Sequence, residues 1–236
     1  MCSSDLPLVL KGINLKIVGG QKVGVVGRTG SGKSTLALSI LRIIESFEGE
    51  IVIDGQNIAN IDLGMLRKGI SIIPQDSSLF IGTLKYNIDP TNIYTDDKIR
   101  EVLKRTGLDK FLHYEDDILN FHIEEQGKNI SSGERQLICL SRAIIRNSKI
   151  IIFDEATSSI DIQNEGKIIE IINSEFKEHT IITIAHRIHT IINSDIIVVF
   201  EDGRILEFGA PSKLLANKNS FFTKLINEGH IKTKDS

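Results

Sequence analysis

Residues 27–35 read Gly27-Arg28-Thr29-Gly30-Ser31-Gly32-Lys33-Ser34-Thr35, a match to the phosphate-loop pattern G-x-x-x-x-G-K-[ST]. The glycines tolerate positive φ and have no Cβ, so consecutive backbone N–H groups can wrap a phosphate. A helix starting at the end of such a loop adds its partial positive charge. Lys33 is placed to reach β and γ phosphates, and the Ser34 hydroxyl suits Mg²⁺. A second group of residues complements this one. Asp154 and Glu155 close the apolar run Ile150-Ile151-Ile152-Phe153. In phosphate-loop enzymes an acid in that position holds Mg²⁺ through its water shell, and its neighbour stands where an attacking water must be polarised. Paired acids after a strand also occur as plain solvated turns. Here they follow a phosphate loop at a suitable distance, which favours chemistry.

Three further stretches carry polar residues at element ends. Residues 129–136 read Asn129-Ile130-Ser131-Ser132-Gly133-Glu134-Arg135-Gln136. The backbone N–H groups there, with Ser131, could hold a phosphate as a helix start does. On the residues alone, an N-cap with a capping glutamate is the simpler reading. Gln75 follows a strand and Pro74 and could reach a metal or a water, although a lone Gln is usually a loop residue. His186 follows the apolar run 181–185, where a packed histidine is commoner than a catalytic one. No other histidine stands at ligand spacing from a second donor, so a protein-bound zinc is not expected.

The elements that must position these residues are legible from periodicity. Residues 22–26, Lys-Val-Gly-Val-Val, read as a buried strand before the loop, and residues 34–44 as the helix after it. Leu8-Val9-Leu10 reads as a strand. Ile13, Leu15 and Ile17 alternate as a half-buried one. Residues 50–54 and 70–73 read as further strands, the latter stopped by Pro74. From residue 82 to 147 the pattern turns helical. Thr95 or Asp96 caps one helix that ends near Gly107, and Ser131 or Ser132 caps another. Strand–helix alternation then returns: strands at 150–153 and 180–184, helices at 162–176 and 187–192, a hairpin at 196–208, and one or two helices within 211–227. The fold class is therefore α/β, with a phosphate-loop core and a helical subdomain at 82–147 inserted between core segments 1–81 and 148–236.

Composition agrees with a single large globular unit. The chain has 236 residues, 41% hydrophobic and 25% charged, with net charge −3. That balance offers no basic surface for nucleic acid. Its cysteines, Cys2 and Cys139, are far apart and outside metal spacing, which fits a reducing compartment. No apolar run reaches the ~18 residues of a membrane span, and the N-terminus lacks the form of a signal peptide.

In order, these pieces resemble the nucleotide-binding domain of ATP-binding-cassette (ABC) transporters. The family's Walker A matches residues 27–35, and its Q-loop matches Gln75. The signature motif, usually LSGGQ, matches Ile130-Ser131-Ser132-Gly133-Glu134. Walker B matches 150–154 with Glu155 as catalytic glutamate, the D-loop matches Ser159-Ile160-Asp161, and the H-loop matches His186. Residues 73–90 look like the C-type, multidrug-resistance-associated subfamily, and the presence of Glu155 looks most like its second cassette.

The resemblance implies a mixed sheet with a small antiparallel β subdomain, ATP and Mg²⁺ as ligands, and Mg²⁺-dependent ATP hydrolysis that powers export. Lys33, Glu155 and His186 are then catalytic. Residues 27–35, Gln75, Ser131, Ser132 and Gly133 bind nucleotide, and Ser34, Gln75 and Asp154 attend the metal. It also implies a head-to-tail partner cassette, transmembrane domains, and a place on the cytoplasmic face of a membrane. Ser132 and Glu134 depart from the signature, which in second cassettes often faces the weaker of the paired ATP sites. Cys2 falls near the aromatic residue that stacks on adenine in the family, and the first strands of the antiparallel subdomain are missing, as in an N-terminally truncated cassette. A regulatory cassette that gates a channel, or a truncated inactive one, are the competing expectations.

Overall fold

The structure is a computed structural model and describes residues 8–110, 117–155, 162–185 and 187–228. Its frame is a six-stranded sheet in the order β10-β9-β1-β8-β7-β4. The strands are β1 (Lys22–Gly27), β4 (Ile70–Ile73), β7 (Ile150–Asp154), β8 (Thr180–Ile184), β9 (Ile196–Glu201) and β10 (Arg204–Gly209). All neighbours run parallel except β10, which folds back antiparallel on β9. Val23, Val25 and Val26 are almost completely buried. Central parallel strands are covered on both faces, so they read as unbroken apolar runs.

Alternation along β7 separates the layers. Ile152 packs with Leu36 and Ala37 of α1 (Lys33–Ile40) on one face. Ile151 and Phe153 pack on the other face with the helical region. That region holds α3 (Leu84–Ile88), α4 (Asp96–Thr106) and α5 (Ser132–Arg146). Local chemistry sets the ends of these helices. Thr95 accepts from the Lys98 amide at the start of α4, and Gly107 closes it at φ 71°. The last layer, α7 (Ile188–Ile191), α8 (Pro211–Ala216) and α9 (Phe221–Asn227), covers Val26, Ile197 and Val199. Helix α6 (Ile162–Glu175) precedes β8.

The N-terminal expectations need correction. Residues 8–10 and 13–17 form no strand. Leu10, Ile13, Leu15 and Ile17 do pack against the α1 side of the core, and their neighbours face outward. Period-two burial is present, but a ladder also needs a second strand in register, and none pairs with them among the described residues. The antiparallel β subdomain shrinks to a hairpin of β2 (Val52–Ile53) and β3 (Gln56–Asn57) in place of a strand over 50–54. The helix expected over 34–44 stops at Ile40, and Arg42 turns into the left-handed region at φ 48°. Pairing of β5 (Gly82–Thr83) with β6 (His122–Ile123), and helix α2 (Leu63–Gly69), were not anticipated.

Candidate phosphate site

Strand order brings the two chemical groups together. β8 pairs on one side with β1 and on the other with β7, all parallel. The carboxyl ends of β1 and β7 therefore open on the same edge of the sheet, where crevices in such folds take ligands. From β1 the chain enters the loop 28–32 and then α1. The loop is tight: a Cβ on Gly27 would lie 2.2 Å from the Phe200 carbonyl oxygen. Gly32 is the N-cap of α1 at φ 104°, with no side chain capping the helix. The first intrahelical bond runs from the Leu36 amide to the Gly32 carbonyl. The amides of Lys33, Ser34 and Thr35 thus stand ahead of it, at the helix's positive end.

Lys33 is 5% exposed, and its Nζ donates to the carbonyl oxygens of Gly27 (2.9 Å) and Arg28 (3.0 Å). Burial pushes its pKa below the ordinary lysine value, and the charges of Glu155 and Asp154 partly oppose that. A buried ammonium bonded, among the described residues, to neutral carbonyls inside the loop is suited to an incoming anion. Ser31 adds a second sign: its Oγ is buried and has no hydrogen-bond partner among the described residues. Both observations fit a bound phosphate group.

Ser34 Oγ donates to Asp154 Oδ1 at 3.4 Å, so a hydroxyl and a carboxylate oxygen face each other across the α1–β7 gap. Hard oxygen donors of this kind match Mg²⁺, which keeps part of its water shell. Glu155 follows in the left-handed region at φ 52°, and its amide donates to the Ile184 carbonyl at 3.0 Å. A non-glycine residue in that region is uncommon and concentrates at functional sites.

The other expected residues divide. Gln75 is exposed, two residues past β4, which pairs with β7 so that Ile73 lies opposite Phe153. It therefore leaves the sheet beside the Asp154 strand. Ser131, Ser132 and Gly133 begin α5, whose main packing partners are α4, β4, α3 and α6, whereas α1 packs on β1 and β7. Ser131 Oγ accepts from the Glu134 amide (3.3 Å), and Glu134 accepts from the Ser131 amide (2.6 Å). This is the reciprocal capping box. The structure thus sets the signature residues on a different element from the phosphate loop. His186 and the segment Ser159-Ile160-Asp161 lie outside the described residues, as does Cys2.

Sequence reasoning missed the residues that tie α5 to the Gln75 loop. Gln136 is 2% exposed, takes a hydrogen bond from Ser77 Oγ and donates to the Pro74 carbonyl. Arg142 donates to the carbonyls of Asn87 and Ser78. Buried Asn87 bonds in turn to both backbone groups of Phe80. A signal was available, because Gln136 sits four residues before Leu140, on the apolar stripe.

The family model described as ABC transporter matches residues 10–158. The chain belongs to the ABC transporter family. It is 49% identical to ABC transporter C family member 9 of Arabidopsis thaliana, over 98% of this chain and 15% of that protein. It is 48% identical to ATP-binding cassette sub-family C member 2 of Rattus norvegicus, over 92% of this chain and 14% of that protein. Among solved structures it resembles a bacterial Atm1-family ABC exporter with ATP bound (TM-score 0.87, 32% identity), covering 95% of this chain and 40% of the other. The chain is thus an ATP-binding cassette of C-family type and spans about 15% of the length of these relatives. No described helix is long and apolar enough to cross a membrane.

Proposed function

We propose that this cassette hydrolyses ATP to drive export through transmembrane domains of the same transporter, from the cytoplasmic face of a membrane. The observation that carries the reading is the convergence of Lys33, Ser34 and Asp154 at the carboxyl ends of β1 and β7. The amides of residues 29–34 and the Lys33 ammonium bind the triphosphate. Mg²⁺, held by Ser34 and Asp154 with Gln75 alongside, offsets the charge of the phosphate oxygens when bound. Glu155 takes a proton from the attacking water, and His186 contacts the γ-phosphate. Residues 82–147 act as a subdomain that presents Ser131, Ser132 and Gly133 to a partner.

With the signature on α5 and the loop on α1, one chain contributes two half-sites. A head-to-tail partner cassette then completes each of them, and its closure and opening moves the membrane part. The test is steady-state ATPase against protein concentration. Specific activity should rise with concentration and rise further with a cognate first cassette. High, concentration-independent activity in a monomer would overturn the half-site reading.

A further inference from the structure

The phosphate loop does not hold its shape alone. Its own turn is closed by the Ser31 amide, which donates to the Arg28 carbonyl at 3.2 Å. Behind it lies the hairpin of β9 and β10. Gly27 is in register with Phe200 of β9, and the next residue, Glu201, lies 3.7 Å from the Arg28 guanidinium. The turn of the hairpin, Asp202-Gly203, reaches further along the loop. The Gly203 amide donates to the Ser31 carbonyl at 3.0 Å, and the Gly203 carbonyl accepts from the Lys11 amide at 2.8 Å. One residue thus ties the segment at Lys11 to the phosphate loop, through both its N–H and its C=O.

Glycine is required there. Asp202 and Gly203 both sit in the left-handed region, at φ 47° and 77°. A Cβ on Gly203 would overlap the Val9 carbonyl oxygen. The bond to Ser31 also has a consequence inside the loop. In a planar trans peptide the N–H points opposite to the C=O. Turning the Ser31 carbonyl onto the hairpin therefore turns the Gly32 amide away from it. That amide takes no partner among the described residues, and it stands directly before the open amides of α1.

We infer that Gly203 is a positioning residue for phosphate binding: its amide fixes the Ser31–Gly32 peptide so that the Gly32 N–H faces the ligand. The inference rests on the reading above that residues 29–34 bind the triphosphate. A donor aimed beforehand needs no rearrangement when the anion arrives. A loop released from the hairpin is free to flip this peptide and face the anion with the Ser31 carbonyl oxygen, which repels it.

The first test leaves the sequence unchanged. Coupling is reciprocal: if the Gly203–Ser31 bond favours phosphate, bound phosphate favours that bond. Amide hydrogen exchange is followed by NMR with and without inorganic tripolyphosphate. The Asp195 amide, which donates to the Lys22 carbonyl just before β9 begins, is the reference for overall stabilisation. Gly203 should slow by roughly threefold or more beyond Asp195. Equal slowing of the two would overturn the inference.

The second test removes the donor without adding a side chain, since Gly203→Ala would distort the turn. Glycolic acid at position 203 puts an ester oxygen in place of the N–H and keeps glycine's backbone freedom. By calorimetry, ATP and tripolyphosphate should both weaken by a similar factor, roughly three- to tenfold. A purely structural role would lower the urea midpoint and leave both affinities unchanged, and that result would sink the inference. So would a loss for ATP alone. Should the ester chain fail to fold, the exchange result decides. Lys33→Ala is titrated alongside. If it weakens both ligands and the ester does not, Gly203 fails and the phosphate-loop reading stands. If it weakens neither, that reading fails and the inference falls with it.

Discussion

The starts of α1 and α5 are two solutions to one physical problem. Each helix begins with amides that no turn of its own can satisfy. At α5 the chain satisfies part of them itself: Ser131 accepts from the Glu134 amide and Glu134 from the Ser131 amide, which leaves the amides of Ser132 and Gly133 open among the described residues, and the helix runs 15 residues. At α1 it does not. Gly32 brings no side chain, no acid lies in the first turn, and the helix is only 8 residues long. So short a helix is marginal without tertiary support. Its open start is a standing demand for an anion, with the buried Lys33 ammonium and the Ser31 hydroxyl making the same demand. The capped start of α5 makes a smaller demand, through the amides of Ser132 and Gly133 alone. A helix N-terminus is thus informative about a ligand only after its own caps have been counted.

The comparison can be broken in several ways, and the largest effect belongs to the chemistry beside α1. Glu155→Gln should cut turnover roughly 10²–10⁴-fold while ATP affinity stays unchanged, measured by phosphate release and calorimetry on the same preparation. Unchanged turnover would remove Glu155 as the base. Next comes binding. Lys33→Ala should weaken ATP by about 1.5–3 kcal/mol, or roughly 10–150-fold. In the isolated chain Ser131→Ala should leave the same calorimetric affinity alone. If both substitutions weaken ATP equally, the distinction between the helix starts fails.

The third effect is smaller and falls on stability. Ser131→Ala removes half of the capping box and should cost about 1 kcal/mol. The readout is the urea midpoint, at an unchanged slope. No loss of stability would mean that α5 is not held by its cap.

The smallest effect sharpens the picture of α1. Burial lowers the Lys33 pKa from its ordinary 10.5, so the folded chain releases that proton before the unfolded chain does. The unfolded state then binds more protons in the window below 10.5, and stability rises with pH there. The unfolding free energy of wild type minus that of Lys33→Met should therefore climb from neutral toward alkaline pH. A flat or falling difference would show that the ammonium is not desolvated.

Most of what local chemistry controls was legible before the structure. Thr95 and Gly107 bound α4 as their side-chain and backbone preferences require, and Ser131 starts α5. The phosphate loop and the Asp154–Glu155 pair were readable because strand, turn and helix are contiguous there. Non-local features were not. The alternation of Ile13, Leu15 and Ile17 reports burial and carries no information on whether a partner strand exists. The β5–β6 ladder joins Gly82 and Thr83 to Ile123 and His122, segments too short to leave a periodic pattern. Asn87 and Arg142 are single polar residues whose partners lie outside their own helices, so no spacing rule pointed to them, and Gln136 offered only its place on the apolar stripe of α5. The site split along the same line: its phosphate end was contiguous in sequence, while the link from α5 to the Gln75 loop depends on packing.

That link makes α5 a lever. Its 15 residues form a rod about 22 Å long. The signature serines sit at one end and Arg142 and Arg146 toward the other, with Gln136 pinned to the loop that carries Gln75. A rod pivoting near its middle moves its ends in opposite directions. A tilt of about 10° displaces each end by roughly 2 Å over that length. That is on the scale of the small helix shifts by which proteins switch between states. On the proposed reading, a displacement at the signature end and one at the Arg146 end of α5 are then one motion read at two places. Stiffness along α5 is what sets how faithfully one end reports the other. A flexible residue between Gln136 and Arg142, such as a glycine, would uncouple the ends.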